Sequence, residues 1–399
     1  MTMMIQYNSY LLIYLSMKIE QKSWDQTDGW LTVKSTLGTE IPQLVLVFGG
    51  RDEVSNPDNY AILKQWYPQS NIVMCSTAGE IIDTKVHDHS LAVTAIYFEK
   101  TTLTFTHGTL AEGDSGEVIG GSLAESIPKV GLKHVMVFSD GLQVNGTSLV
   151  KGMLKHLPNE VSVTGGLVGD GTDFKITVVG LNQVPEPKQV VMIGFYGEDI
   201  KIGYGSLGGW DSFGPVRLVT KSEKNVLYEL DGKPALQLYK QYLGEQATDL
   251  PSSGLLFPLN LHLDDSKTAV EVVRTLLAVN EDDQSMTFAG DLPTGSSVNL
   301  MKANFERLID GAAGAASMSR GSLRDSIPNL AILISCVGRK LVLKDRIEEE
   351  TEAVKQELGN SENTFMTGFY SYGEISPVAA TEKQCRLHNQ TMTITTFTE

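Results

Sequence analysis

A short C-terminal stretch of the chain concentrates residue types that can do chemistry. The sequence TFMTGFYSYGEISP begins at Thr364, and a lone histidine, His388, follows next to Asn389. A neutral imidazole is a common metal ligand. Whether His388 binds a metal therefore distinguishes the possible functions better than the role of any other residue. The alternative is that His388 and Asn389 cap the last strand by hydrogen bonding to the glycine turn. Because such residues rarely gather at a free terminus, we expect this stretch to be tied into the fold and to form a site.

Acidic residues follow glycine in three turns of similar sequence. The segments CSTAGEI, VSVTGGLVGDG and GFYSYGEI place Glu80, Asp170 and Glu374 at equivalent positions. Arg51 and Arg339 each follow glycine at the end of an apolar run. A guanidinium can bind a carboxylate through two hydrogen bonds, so both arginines are candidate ligand-binding residues. The alternative is a salt bridge from these arginines to the acidic turn residues.

The turn carboxylates could also serve as the acid/base pair of a hydrolase. The sequence has no GxSxG elbow, HExxH motif or P-loop, which are common signs of catalysis. A glutamate in a GE turn more often accepts hydrogen bonds from backbone N–H groups. We therefore predict that the chain is not an enzyme and that Glu80 and Glu374 belong to a binding site.

Cysteines and the remaining histidines give weaker signals. Cys336 ends an apolar run beside Gly338 and could line a cleft, although a free cysteine is more often a small buried residue. The chain has no CxxC pair, which argues against structural zinc. The His87-Asp88-His89 segment lacks a third metal ligand nearby.

Three segments that repeat the same order of elements must position these residues. Each begins with an apolar run, LVLVFGGRD from Leu44, HVMVFSDGL from His134 or LAILISCVGRK from Leu330. A helix-compatible stretch, a second run that breaks into the turn, and a third run then follow. This order predicts an α/β fold of repeated strand-helix-strand units in mixed sheets. Since ligands collect beyond the carboxyl ends of such strands, we expect the turns to face a shared cleft.

The segment between Tyr204 and Asp325 has a different pattern, typical of a more antiparallel α+β region. It contains a DG turn at Asp231-Gly232, a hairpin-like pattern around 280–283 and a predicted helix from Asn299 to Ser319. We predict an N-terminal extension over residues 1–30, a first domain over 31–235 and a second over 236–399.

The composition excludes several classes of protein. A net charge of −16 argues against nucleic-acid binding and against an anionic membrane surface. Three cysteines in 399 residues indicate a reducing compartment, so we expect a cytoplasmic protein. The apolar run YLLIYL is too short to span a bilayer, and Met17 is an alternative start of translation.

The motifs together resemble the FIST family, named for F-box and intracellular signal transduction. The amino half carries CSTAGEI, SDGL, GGLVGDG and WDSFGP with DGKPAL, and the carboxyl half carries SCVGRK, GFYSYGEISP and LHNQTMTIT. The segment WDSFGPVRLVTKSEKNVLYELDGKPAL looks closest to NosP, a branch of nitric-oxide-sensing haemoproteins. The resemblance implies a cytoplasmic sensory module, with a FIST N-terminal and a FIST C-terminal domain, that signals through another protein.

The resemblance implies haem b as the cofactor, with His388 as the candidate iron ligand. Tyr370 and Tyr372 would supply flat walls, and Asn389 and Cys336 would lie in the cleft. Since CRLH at Cys385 lacks the second cysteine of a covalent haem motif, the haem would be non-covalent. A histidine kinase, diguanylate cyclase or phosphodiesterase would be the partner in trans, and the chain could also form a homodimer.

Two alternatives remain open from the sequence. The first is a haem-free FIST sensor that holds an amino acid or another small anion against Arg51 and Arg339. The second is an enzyme that uses Glu80 and Glu374.

Overall fold

The structure, a computed structural model, describes residues 17–265, 268–323, 326–377 and 385–399. The apolar run YLLIYL and the question of an earlier start concern residues outside this part. The described portion of the predicted N-terminal extension forms the first strand and the turn of a β-hairpin, whose second strand continues to Ser35 in the predicted first domain. The first strand also pairs with a strand of the main fold.

The chain forms eight α-helices and 26 strands in its described part, numbered in chain order. The strands up to residue 207 are β1 Lys18–Asp25, β2 Gly29–Ser35, β3 Leu44–Gly49, β4 Asn71–Ser76, β5 Glu80–Ile82, β6 Lys85–His87, β7 Leu91–Tyr97, β8 Thr102–Thr109, β9 Leu132–Ser139, β10 Ser162–Leu167, β11 Val179–Leu181, β12 Gln189–Tyr196 and β13 Lys201–Leu207. The later strands are β14 Asp211–Glu223, β15 Val226–Leu230, β16 Lys233–Pro234, β17 Leu259–Asp265, β18 Thr268–Arg274, β19 Leu276–Asn280, β20 Ser285–Phe288, β21 Ser297–Lys302, β22 Leu330–Cys336, β23 Phe365–Ser371, β24 Gly373–Pro377, β25 Cys385–His388 and β26 Met392–Thr398. The helices are α1 Arg51–Val54, α2 Pro57–Trp66, α3 Gly116–Ser126, α4 Gly146–His156, α5 Ala235–Leu243, α6 Phe305–Ser322, α7 Val337–Leu343 and α8 Ile347–Glu357.

Three units share one topology, as the repeated apolar runs predicted. The first unit consists of β3, β4 and β7, the second of β9, β10 and β12, and the third of β22, β23 and β26. In each unit the first strand pairs in parallel with the second and antiparallel with the third. A helical segment links the two parallel strands in each unit, as parallel pairing requires. The α/β prediction with mixed sheets is confirmed.

The units also exchange short strands in a closed cycle. β5 leaves the first unit and pairs with β23 of the third, β24 leaves the third unit and pairs with β10 of the second, and β11 leaves the second and pairs with β4 of the first. Each six-stranded sheet therefore contains strands from two units. The turns that precede β5 and β24 are the predicted GE turns, so these turns lie where units meet.

The units share one hydrophobic core. Phe48 lies 4.8 Å from Phe369 and 5.7 Å from Phe138 between ring centroids, and all three rings are fully buried. One ring comes from each unit, and aromatic pairs at this spacing are stabilising beyond their buried area. The units therefore pack as one body.

The middle segment forms a separate antiparallel sheet from β14 to β21, as predicted. Asp231 and Gly232 adopt positive φ in the turn before α5, and β19 pairs antiparallel with β20. The predicted helix from Asn299 begins instead at Phe305, because Asn299 lies in β21 and the side chain of Asn304 caps the helix.

Pairing across the sequence joins the two predicted domains. β13, from the first, pairs along its length with β26, from the second. Within the described residues, no helix is long and apolar enough to cross a membrane.

Candidate functional site

A cleft of about 450 Å³ opens where strand ends of all three units meet. It is lined by Gly50, Arg51, Asp52, Thr77, Ala78, Glu80, Asp88, His89, Asp170, Gly171, Thr172, Asp173, Val337, Lys340 and Leu341. We call this space the charged cleft. Its volume falls within the roughly 300–1,000 Å³ typical of small-molecule sites. Three predicted residues, Arg51, Glu80 and Asp170, therefore line one cleft.

Arg51 begins α1 directly after the first strand of the first unit. Its Nη1 lies 3.5 Å from Asp170 and 3.4 Å from Asp173, and its Nε lies 3.1 Å from Asp52. The side chain is 27% exposed. Both Nη1 contacts are long for charge-assisted hydrogen bonds, which are about 2.7–2.9 Å. The guanidinium is thus held in place but can still bind a ligand carboxylate.

Lys340, a residue that sequence reasoning missed, supplies the second cation. Its ammonium group donates to the carbonyl oxygen of Ala78 at 3.0 Å and to Asp88. The ammonium also lies 5.7 Å from the centre of the Tyr370 ring. The sequence signal was present, because Lys340 directly follows the arginine in the SCVGRK motif. Only the packing of α7 against the first unit shows that it faces the cleft.

Glu80 is almost fully buried at the floor of the charged cleft. Its carboxyl group accepts hydrogen bonds from the Thr77 hydroxyl and from both the backbone N–H and the hydroxyl of Ser90, at 3.2 and 2.7 Å. Burial raises the pKa of Glu80 to about 8, although these hydroxyls act in the opposite direction. Glu80 is therefore mostly protonated near pH 7 and adds little negative charge to the cleft.

Asp170 joins the charged cleft to aromatic residues behind it. Its carboxylate accepts the backbone N–H groups of Lys175 and Ile176, each at 2.8 Å, and the hydroxyl of Tyr372. The ring of Tyr372 stacks on Phe174 with centroids 4.5 Å apart and planes 14° apart. The 170–175 loop is thus fixed by hydrogen bonds at one end and by a ring stack at the other.

The charges in the cleft have both signs, with an acidic excess. Arg51 and Lys340 are its cations, and four aspartates, together with Glu80, are its acids. Opposite charges within one small space suit a ligand that itself carries both signs, because each ligand charge then finds a partner. An anion without an ammonium group would be repelled by the excess of carboxylates.

Although Arg51 and Arg339 both follow glycine at the end of an apolar run, the strand register shows that they are not equivalent. In the first unit, Gly49 of the first strand pairs with Ser76, four residues before Glu80. In the third unit, Ser335 pairs with Tyr370, four residues before Glu374. Arg51 lies two residues beyond Gly49, whereas Arg339 lies four residues beyond Ser335. The two arginines therefore occupy different positions in the repeat.

Arg339 does not line the charged cleft. Its guanidinium is fully buried and donates to Glu350 at 2.7 Å, to the Leu308 carbonyl at 2.7 Å and to the Gly208 carbonyl. The expected salt bridge therefore exists, but its partner is Glu350 rather than a turn carboxylate. Tyr370 is also buried there and donates its hydroxyl to Glu350 at 2.8 Å. Both residues hold α7 and α8 in place.

Glu374 repeats the environment of Glu80 but is not among the residues that line the charged cleft. It accepts the Ser371 hydroxyl at 2.7 Å and the backbone N–H and hydroxyl of Thr391 at 3.1 and 2.8 Å. Burial raises its pKa to about 7. The two glutamates therefore fasten equivalent turns to the start of the third strand of their unit. In the second unit, Asp140 contacts the corresponding segment by accepting the backbone N–H of Lys188 at 2.6 Å.

His388 also has a structural equivalent, contrary to its apparent uniqueness in the sequence. It lies opposite Glu374 across the β24–β25 pair, and His87 lies opposite Glu80 across the β5–β6 pair. The residues two positions later, His89 and Gln390, both adopt positive φ. The C-terminal stretch is thus a third-unit copy of the segment that contains His87.

The described surroundings of His388 do not fit a haem. The imidazole is 5% exposed, and its Nε2 lies 3.0 Å from the carbonyl oxygen of Ser376. Burial lowers the pKa of His388 to about 4, so the neutral ring donates its Nε2 proton to that carbonyl. An iron bound at Nε2 would have to displace this bond. Among the described residues, no aromatic ring stacks on His388 as a haem wall would require.

Cys336 and Asn389 are buried outside the charged cleft. Cys336 caps α7, and burial raises the pKa of its thiol far above the usual range. Both polar side-chain atoms of Asn389 lack a hydrogen-bond partner among the described residues, an arrangement that costs stability. No group of three His, Cys, Asp or Glu side chains that could hold a metal occurs in the ranges that the structure covers.

Comparison with protein families finds two adjoining matches. Residues 43–233 match the FIST N domain, and residues 235–377 match the FIST C domain. No curated protein matches the chain at a significant level. The lining of the charged cleft comes from both matched regions.

Proposed function

Because the chain carries a FIST N domain followed by a FIST C domain, which are sensory domains for small ligands in signalling proteins, we propose that the charged cleft is its sensory site. The ligand is a zwitterion, best represented by a free amino acid. Arg51 and Lys340 bind the ligand carboxylate, and the aspartates around them bind its ammonium group.

The presence of both charge signs in one cleft is the observation that carries this proposal. The two Nη1 contacts of Arg51, at 3.5 and 3.4 Å, are long enough to yield to a ligand. Lys340 already bridges Ala78 of the first domain and Asp88 near it. A carboxylate placed between the two cations would draw α1 and α7 together. Since these helices belong to different units, ligand binding would change the relation between units.

A thermal-shift screen of the twenty amino acids tests the proposal. A ligand present at about 100 times its Kd stabilises the protein by about 2.7 kcal/mol. We expect amino acids with neutral or basic side chains to raise the unfolding temperature, and succinate and simple amines to leave it unchanged. The acidic excess should make aspartate and glutamate weaker than alanine or lysine.

Two variants make the screen specific. Arg51→Ala should abolish the stabilisation, because the ligand carboxylate loses its main partner. Arg217→Ala is the matched control, since Arg217 has a similar exposure, 29%, and pairs with an aspartate on the middle sheet. Equal stabilisation of the wild type and Arg51→Ala, or no stabilisation by any amino acid, would reject the zwitterion site.

The finer prediction from the sequence is a haem-based nitric oxide sensor that regulates a histidine kinase or a cyclic-di-GMP enzyme. The described contacts of His388 add no support to it. A visible spectrum after reconstitution with haem tests it directly. A Soret band that His388→Ala abolishes would favour haem sensing over the zwitterion site.

Transmission of the signal to a partner protein also belongs to the proposal. FIST domains act in signalling proteins, and a histidine kinase or a cyclic-di-GMP enzyme in trans is the class of partner we propose. The readout would be the activity of that enzyme with and without the stabilising amino acid.

A further inference from the structure

A second cleft, of about 290 Å³, lies at the strand ends of the second unit. One side is formed by the segment from Gly141 to Gly146, which follows β9 as Arg51 follows β3. The other side is formed by residues of the middle segment, among them Leu277 and Phe288. We call this space the aromatic cleft. The repeat therefore places an opening at the same position in two units.

In the third unit the start of α7 instead lines the charged cleft, through Val337, Lys340 and Leu341. The side chain of Gln390 packs onto Gly338, at the start of α7. Trp210 donates its indole N–H to the Gln390 carbonyl at 2.9 Å, and Arg339 fills the space behind. The openings at the strand ends therefore differ in lining from one unit to another.

The lining of the aromatic cleft contains no charged side chain among the described residues. Its largest groups are Phe174, Tyr372, Phe288 and several leucines. Phe174 and Leu277 are 40% and 43% exposed at its mouth, and exposed apolar groups around a cavity often mark a binding site. The amides of Gln143 and Asn225 provide polar groups at the edge. Arg274, next to Gly290, already donates to the carbonyls of Asp291 and Leu387. A charged ligand would lose its hydration here and find no counter-ion among the lining side chains.

The stack of Phe174 on Tyr372 gives the cleft an aromatic wall. Phe174 has a φ of 52°, an unfavourable backbone conformation for a bulky residue. The ring stack and the hydrogen bonds of the 170–175 loop hold it there. Two small residues, Ala289 and Gly290, line the same cleft. A further ring could pack against the aromatic wall in the offset or edge-on geometry that aromatic groups prefer.

We propose that the aromatic cleft is a second ligand site, which takes a small uncharged compound of one or two planar rings. Its volume lies at the lower end of small-molecule sites, roughly 300 Å³, and so limits the ligand to that size. Such a ligand differs from the zwitterion of the charged cleft in both charge and shape. The two sites would therefore respond to different molecules.

The two clefts share one loop. Asp170 and Asp173 line the charged cleft, Phe174 lines the aromatic cleft, and the Tyr372 hydroxyl donates to Asp170. A ring bound against Phe174 and Tyr372 would therefore alter the position of the carboxylates that face Arg51. Occupancy of one cleft should change affinity at the other, by reciprocal linkage. This coupling, unlike the second site itself, rests on the proposed function.

Calorimetric titration of the full chain with indole tests the site, because indole is a neutral two-ring probe. Indole-3-acetate and tryptamine are charged controls with the same rings. We expect saturable binding of indole and at least tenfold weaker binding of both controls. An absence of saturable indole binding, or equal binding of all three, would overturn the proposal.

Three variants locate the binding. Ala289→Phe should fill the cleft and reduce indole affinity at least tenfold. Phe174→Ala should reduce it at least threefold, and because Phe174 is partly exposed this change should not prevent folding. Phe305→Ala is the matched control, since Phe305 is 44% exposed elsewhere on the surface. Unchanged indole affinity in the first two variants would place any binding outside the aromatic cleft and refute the site.

Tyr372→Phe tests the coupling separately. The variant keeps the ring but removes the hydroxyl that reaches Asp170. Whatever the affinity of the variant for indole, saturating indole should therefore no longer change the affinity of the amino acid. If Tyr372→Phe couples the sites as well as the wild type does, the proposed route is wrong. If no amino acid binds but indole does, the second site stands and the proposed function fails.

Discussion

Arg51 and Arg339 follow glycine in similar sequence contexts, yet their surroundings give them different roles. Arg51 is partly exposed among aspartates at 3.1–3.5 Å. Arg339 is fully buried, and its donors are taken by Glu350 and backbone carbonyls. A buried guanidinium must satisfy its donors internally, so Arg339 is fixed in the fold, whereas Arg51 remains able to bind a ligand.

Replacement of Arg339 by methionine should be strongly destabilising. The change leaves the Glu350 carboxylate buried without its counter-ion, and breaking a buried pair in this way costs about 3–5 kcal/mol. Urea denaturation measures the loss. Arg217→Met, which breaks the pair of Arg217 with Asp231 at the surface, should cost less than about 1 kcal/mol. A loss no larger than that of the control would show that the buried pair is unimportant.

The buried carboxyl groups of Glu80 and Glu374 should make the free energy of unfolding fall as pH rises from about 4.5 to about 8. Burial raises their pKa values from 4.5 to about 8 and about 7. The folded protein therefore holds more protons than the unfolded chain up to these values, and this stabilisation is lost as pH rises through them. His134 and His388 act in the opposite direction, but only below about pH 6.5, because burial lowers their pKa values to about 3 and 4.

Urea denaturation at pH 6.5 and 8.5 isolates the contribution of the two glutamates. The wild type should lose on the order of 1–2 kcal/mol over this interval, and the double variant Glu80→Gln, Glu374→Gln should lose much less. Glu117→Gln is the control, since Lys151 and Lys155 lower the pKa of Glu117 to about 2. A wild-type stability that rises with pH would contradict the assignment.

At the scale of elements, the parallel pairs within each unit tolerate little extra volume. Leu333 in β22 lies opposite Gly368 in β23, and a Cβ at Gly368 would overlap the Leu333 carbonyl oxygen. Because a backbone carbonyl in a sheet cannot move aside without losing its hydrogen bonds, this position requires glycine. On its other edge, β23 pairs with β5 of the first unit.

Gly368→Ala should therefore destabilise the chain by about 1–3 kcal/mol. Gly321→Ala is the matched control, because Gly321 lies in the last turn of α6 with no atom within 4 Å of the added Cβ. That change should be neutral or stabilising by up to about 1 kcal/mol. Thermal denaturation compares the two variants, and equal melting temperatures would show that β22 and β23 can separate to admit the methyl group.

At the scale of the whole molecule, the strand exchange makes the three units interdependent. Each six-stranded sheet contains a strand from another unit, and Phe48, Phe138 and Phe369 form one buried cluster. The FIST N match ends at residue 233 and the FIST C match begins at residue 235. This boundary in the sequence therefore does not separate the shared hydrophobic core into two parts. The units should unfold together, since none can leave without exposing the sheets of the others.

Thermal unfolding should accordingly show one cooperative transition. Trp24, Trp30 and Trp66 cluster in or beside the sheet of the first unit, whereas circular dichroism reports the whole chain. The two signals should give the same midpoint, also in a Trp210→Phe variant whose tryptophan fluorescence comes only from Trp24, Trp30 and Trp66. Two separated midpoints would mean that the first unit unfolds independently.

The sequence alone was sufficient for the α/β class, the three similar units, the antiparallel middle segment and the FIST resemblance. These features depend on local periodicity, on glycine turns and on motif order, all of which are written along the chain. The carboxylates at Glu80 and Asp170 and the cation at Arg51 were also predicted for a cleft that they line.

Only the tertiary structure decided which similar residues share a site. Arg339 and Arg51 look alike in sequence, but a difference of two positions in strand register buries the first and leaves the second in the cleft. Lys340 reaches the cleft because α7 packs against another unit, and His388 corresponds to His87 because of cross-strand pairing. Register and contacts between units depend on residues far apart in the chain, so no local pattern can specify them.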